Sequence, residues 1–149
     1  VPDMLSFRQS LGWTLYLINL SEADIETLAE RLAFPALLTK AVISASTLKK
    51  VLPSFKEWKP SQWTFHLDDL PSLSVYAVYL VSKETALSDY LSKWQHVKPL
   101  TTGDDLKARG LEPGPRFGEI LRQLRAARLD GEVRNEEDES RLLASLANN

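Results

Sequence analysis

The 149-residue chain contains no cysteine, two histidines and one methionine. Without cysteine there is no disulfide framework, no thiolate zinc site and no thiol nucleophile. Two histidines thirty residues apart, His66 and His96, leave little to build an imidazole metal centre from, and neither has a set of Asp, Glu and His nearby at ligand spacing. Both are read as structural or surface residues. No apolar run approaches the roughly 18 residues of a membrane-spanning helix, and the start, Val1-Pro2-Asp3, is unlike a signal peptide. A soluble, cytoplasmic protein with no membrane partner is expected. The serines lie outside any G-x-S-x-G setting, so hydrolase chemistry has no support. A net charge of −2 speaks mildly against bulk attraction to nucleic acid.

Charge by segment reverses that last impression. Residues 1–97 hold 9 Lys+Arg against 10 Asp+Glu, residues 98–128 hold 7 against 4, and residues 129–149 hold 2 against 6. A basic stretch is thus masked by an acidic terminus. A smaller cluster of Lys40, Lys49, Lys50, Lys56 and Lys59 is opposed only by Glu57.

Periodicity is helical nearly throughout. Leu5 to Leu20 is apolar enough for a buried helix, with Thr14, Tyr16 and Ile18 leaving a strand open. Ser21 has the position of an N-cap, with Glu22 and Asp24 in the first turn and Ile25, Leu28, Ala29 and Leu32 at helical spacing. After Pro35, the residues Leu37, Leu38, Ala41, Val42, Ala45 and Leu48 continue the 3.6-residue repeat until Pro53. Residues 54–70 suggest short helices and turns packed by Trp58, Trp63 and Phe65. Pro71 suits a first helical position, and Leu73, Ala77, Leu80 and Val81 would form the buried face of the helix that follows. Leu87, Tyr90, Leu91 and Trp94 form the next. The expected fold is all-α, an irregular helical bundle with a C-terminal helix–turn–helix-like module. Three regions are expected: a helical body over 1–97, a Gly/Pro-rich turn with a basic helix over 98–133, and an acidic segment over 134–149.

Four of the six glycines and two prolines fall between 103 and 118 (Gly103, Gly110, Pro113, Gly114, Pro115, Gly118). Thr102 or Gly103 is placed to cap a short helix through Lys107, Gly110 to end it and Pro115 to open another. In that second helix Phe117, Ile120, Leu121 and Leu124 make one apolar stripe, and Arg116, Glu119, Arg122 and Arg125 are expected on the exposed side. Glycines let a ligand backbone come close, amides at a helix start suit phosphate, and arginines extend the track. Ordinary turn chemistry with solvated arginines is the plainer reading of the same residues.

The run T-G-D-D-L-x3-G-L-x-P-G-P-x-F-G-x-I-L-x2-L-x2-A-x2-D-G, from Thr102 to Gly131, resembles the C-terminal segment of the class II tRNA nucleotidyltransferase (CCA-adding enzyme) and poly(A) polymerase family. About 35 residues take part, and the helices before them, with Trp94 and Lys98-Pro99, resemble that family's body. The resemblance implies a body-and-tail region that holds tRNA or another structured RNA. The RNA contacts it implies are Gly103, Lys107, Arg109, Gly110, Gly114, Arg116 and Gly118, with Arg122 and Arg125 on the following helix. Catalysis would belong to a separate head using magnesium and nucleoside triphosphates. The paired carboxylates such a head needs have no counterpart in this chain. Asp68-Asp69 and Asp104-Asp105 are adjacent pairs whose side chains diverge, so no catalytic residue, metal ligand or cofactor is expected, and Asp105 is assigned to bracing the turn. Glu137-Asp138-Glu139-Ser140-Arg141 has the form of the family's nucleotide-reading E-D-x-x-R but lies in the acidic terminus, and is read as a solvated helix start.

Trp13, Trp58, Trp63 and Trp94 could stack RNA bases at about 1–3 kcal/mol per base, Trp58 and Trp63 being the pair flanked by lysines. Two other functions fit the residues: a helix-hairpin-helix-like DNA-binding module, from G-L-E-P-G-P and its helix, and a helical protein-interaction domain in which the arginines meet an acidic partner. No oligomeric state is implied.

Overall fold

The computed structural model describes residues 4–148; Val1 to Asp3, whose sequence bore on the signal-peptide question, and Asn149 lie outside the described residues. Among the described residues there are nine α-helices and no strand: α1 (Phe7–Leu17), α2 (Glu22–Arg31), α3 (Ala36–Val51), α4 (Pro60–Asp68), α5 (Ser72–Ser82), α6 (Thr85–Ser92), α7 (Gly103–Ala108), α8 (Pro115–Leu129) and α9 (Glu136–Ala147). Short 3-10 turns at Leu52–Phe55 and Trp94–His96 complete the order. The all-α expectation holds, and the strand alternative for residues 5–20 falls to α1. Ser6 starts that helix with a reciprocal capping box to Gln9.

The chain divides into two compact units, one of Val1–Trp58 and Trp63–Gln95, the other of Lys59–Gln62 and His96–Asn149. In the first, α3 is the central helix and packs on α1, α2 and α5, while α5 packs on α6. One core joins Ile18, Ala45, Leu48, Phe55, Trp63, Leu67, Val75, Val78, Leu87 and Tyr90; a smaller one joins Leu17, Ile25, Leu38 and Val42. Ser21 caps α2 by accepting from the Asp24 amide, as its sequence position suggests.

Two details differ from the sequence reading. Pro71 is the N-cap of α5 and not its first residue. The buried face of α5 is Ser74, Val75, Ala77 and Val78, whereas Val81 is exposed. The Ser74 hydroxyl donates to the Ala41 carbonyl at 2.7 Å, so a small polar side chain lets α5 approach α3 closely without an unpaired group.

The aromatics around the lysines of the first unit form a packed knot. Phe55 stacks on Trp58 at 3.8 Å between ring centres, Trp63 meets both edge-on, and His66 packs edge-on against Phe55 and Trp58. Trp63 is only 5% exposed and belongs to the core, so it is not a base-stacking platform, while Trp58 is half-buried with one face covered by Phe55. Lys49 donates to the Asn19 side chain and Lys50 to the Leu20 carbonyl, which ties two lysines of the basic cluster to the turn after α1.

Candidate nucleic-acid interface

In the second unit, Leu106, Ile120, Leu124 and Leu143 form the core, with Leu111, Phe117, Leu121, Leu142 and Leu146 packed around it. Phe117, Ile120, Leu121 and Leu124 thus make the inward stripe of α8, as their spacing implies. α7 is only six residues long and buries one side chain, Leu106. Its start is fixed by a capping box: the Asp105 amide bonds to the Thr102 hydroxyl, and the Thr102 amide bonds to the Asp105 carboxylate at 2.8 Å. The amide and hydroxyl of Thr102, helped by the charge of Arg109, hold the Asp105 carboxyl below its usual pKa. Asp105 therefore braces the turn, and among the described residues no group of three His, Asp or Glu could hold a metal ion.

Gly110 follows α7 with φ +86°, a left-handed conformation that side-chain-bearing residues adopt at a cost. The turn itself accounts for that glycine. Three others are not explained in this way. A Cβ at Gly114 or Gly118 would meet nothing within 4 Å, and one at Gly103 would touch only the Phe117 ring edge at 3.9 Å. That contact also places the first residue of α7 beside the first turn of α8. The N-cap of α8 is Gly114, no side chain caps that terminus, and Pro115 opens the helix without an amide to satisfy. The two helix starts thus lie side by side, with a glycine at the first residue of α7, at the N-cap of α8 and in its first turn.

The basic residues are distributed unevenly around this surface. Lys107 and Arg109 are exposed on α7 and at its C-cap. Gly118, Arg122 and Arg125 fall at i, i+4 and i+7 on α8, with Arg122 exposed. Arg125 is half-buried, its Nε donating to the Val97 carbonyl at 2.8 Å. Arg116 turns toward the end of α9, where Nη2 donates to the Leu146 and Ala147 carbonyls at 3.3 and 3.2 Å. Of the four residues expected on the exposed side, Arg116, Glu119 and Arg122 are exposed and Arg125 is half-buried, while Arg116 and Arg125 each also fasten a neighbouring backbone segment. A cation on the last carbonyls of a helix is favourable in itself.

The acidic terminus also differs from expectation. Asn135 caps α9, and Glu136 and Glu137 are exposed in its first turn. Glu139 is not solvated: it is 2% exposed. Its carboxylate accepts from the Arg128 Nε at 2.6 Å, the Leu100 amide at 3.1 Å, the Thr101 amide at 2.9 Å and the Thr101 hydroxyl at 3.0 Å. Burial alone would raise its pKa, but Arg128, Leu100 and Thr101 together outweigh that and hold it below the ordinary 4.5. Arg128 is 17% exposed, and its Nη2 is buried without a partner. The apolar stripe Leu142, Leu143 and Leu146 extends back to Glu139 at helical spacing, and a carboxylate on that stripe was the available sign of burial.

Residues 7–143 match the family described as tRNA nucleotidyltransferase domain 2. The chain belongs to this family. The resemblance read from the Gly/Pro-rich run is thereby borne out, and the domain is a tRNA nucleotidyltransferase body-and-tail region. It is also 41% identical over 61 residues to an A-adding tRNA nucleotidyltransferase of Geobacter sulfurreducens. That match covers 41% of this chain and 7% of the relative's length. No solved structure matches the domain. Among the described residues, no helix is long and apolar enough to cross a membrane.

Proposed function

We propose that this domain binds tRNA, or a similarly structured RNA, along its phosphate backbone and presents the RNA 3′ end to a nucleotide-adding centre elsewhere in a cytoplasmic protein. Residues 98–133 would make the contacts, residues 1–97 would serve as the supporting body, and residues 134–149 would brace the turn. Magnesium and nucleoside triphosphates would be needed only at the distant centre.

The observation that carries this reading is the trio Gly103, Gly114 and Gly118, none of which has a left-handed backbone; Gly114 and Gly118 leave open space where a side chain would stand, and a Cβ at Gly103 would meet only the Phe117 ring edge. A glycine inside a helix, as at 118, costs about 0.5–1 kcal/mol relative to alanine. Its use beside an uncapped helix start fits a ligand backbone that must come close, and phosphate suits the amides there. Lys107, Arg109 and Arg122 supply exposed positive charge, while Gly110 shapes the turn; Arg116 and Arg125 contribute charge while anchored to carbonyls.

The test is tRNA affinity at two salt concentrations for the wild type and for Lys107→Ala/Arg109→Ala/Arg122→Ala. The wild type should bind more weakly at higher salt, and the variant should bind more weakly than wild type with a shallower salt dependence. Equal, salt-insensitive binding by both would sink the reading. Competition with duplex DNA of similar length separates a helix-hairpin-helix DNA module, which would prefer the duplex.

One observation favours a second reading for the first unit. Gln9, Gly12, Trp13 and Tyr16 line a shallow apolar depression on α1, and Tyr16 is 81% exposed. Such a face suits a polypeptide partner. Loss of a protein contact on Tyr16→Ser, with RNA affinity intact, would support it.

A further inference from the structure

Glu139 belongs to an acidic helix start outside the basic turn, yet its carboxylate reaches the backbone just before α7. We propose that Glu139 is the positioning residue of the RNA-binding turn, setting where α7 stands against the start of α8. The proposal rests on the RNA-binding reading of that turn.

A helix of six residues is too short to hold itself in water. Leu106 is its one buried side chain, with Leu111 just after the helix packed on the same core. The second constraint lies in three successive amides. Those of Leu100 and Thr101 are bound by Glu139, and that of Thr102 by Asp105. Asp105 is part of α7 and moves with it. Of the two carboxylates, only Glu139 ties the segment to another helix. The same carboxylate is held by Arg128 of α8. One group therefore registers the entry to α7 and the body of α8, the two helices whose starts converge at Gly103 and Phe117.

Stability alone is a weak reason for such an arrangement, because a buried ion pair is often matched by a well-packed apolar pair, and fixing register is its better-attested use. Glu136 and Glu137, exposed in the first turn, already serve the α9 dipole. Glu139 shares that first turn, but its carboxylate is buried and bonded to Arg128, Leu100 and Thr101, where it sets geometry.

The experiment compares tRNA binding by the wild type, Glu139→Gln and Thr101→Val across a salt series, with helix content followed by circular dichroism. The slope of log affinity against log salt counts neutralised phosphates, at about 0.7–0.9 per phosphate. Glu139→Gln should weaken binding about tenfold and lower the slope by about one phosphate's worth, because Lys107 or Arg109 no longer reaches its contact. Thr101→Val removes only the hydroxyl bond and should shift both quantities less, in the same direction; it decides the matter if Glu139→Gln loses its helix content. A merely structural role would reduce the binding-competent fraction and leave the slope unchanged, and that result overturns the proposal. Unchanged affinity and slope in both variants overturn it too, while a wild type that binds no tRNA overturns the RNA reading and this proposal with it.

Discussion

Glu139→Ala should destabilise the protein far more than its place in an acidic terminus suggests. The substitution strands four donors: Arg128 Nε, the Leu100 and Thr101 amides and the Thr101 hydroxyl. Arg128 is half-buried and already holds one buried, unpartnered nitrogen, so its charge would lose its partner without regaining full hydration. Breaking a buried pair on one side costs about 3–5 kcal/mol. Against a total of about 5–15 kcal/mol for an ordinary domain, that is about a fifth or more. Replacing both partners, as Arg128→Met/Glu139→Leu, removes the unpaired charge but leaves the two amides unsatisfied at about 1–3 kcal/mol each, so it should recover only part of the loss. The assay is urea denaturation followed by circular dichroism, because all four tryptophans lie in the first unit and their fluorescence does not report the second directly. A Glu139→Ala protein within 1 kcal/mol of wild type, a margin below the stated cost of breaking a buried pair, would refute the reasoning.

The lowered Glu139 pKa has a direction in pH. A carboxyl depressed in the folded state stabilises the fold above its ordinary value of 4.5, and that contribution is lost as pH falls through the folded value. Acid titration of stability should therefore show a loss beginning below about pH 4.5 that is smaller in Glu139→Gln. Gly118→Ala should separate folding from binding: it should raise thermal stability by up to about 1 kcal/mol, since the new methyl meets nothing, while lowering tRNA affinity, with calorimetry and a binding titration as the two readouts. Gly110→Ala should instead destabilise by about 1–2 kcal/mol through its left-handed backbone, measurable in the same denaturation assay.

What the sequence disclosed follows the reach of each interaction. Caps and turns are local, so Ser21, Asp105, Gly110 and Pro115 could be placed from spacing, and the cap of α7 narrowed to Thr102 or Gly103, of which Thr102 is the one used. The inward stripe of α8 was legible because its opposite side is charged. The buried face of α5 was not, because Leu73, Val75, Ala77, Val78, Leu80 and Val81 surround the helix with apolar residues, and the choice is made by the Ser74 bond to α3. Long-range polar contacts left the least trace: nothing near Arg125 announces the Val97 carbonyl, and nothing near Arg116 announces the end of α9. Trp58 and Trp63 looked available because lysines flank them, yet their partner, Phe55, lies before both in a 3-10 turn.

The most direct test of the central claim is to titrate tRNA into the isotopically labelled protein and map the perturbed amides by NMR. The account predicts the largest changes at Gly103, Lys107, Gly110, Gly114 and Gly118 and along the first turns of α8. Perturbations confined to the first unit, or none at all, would contradict it.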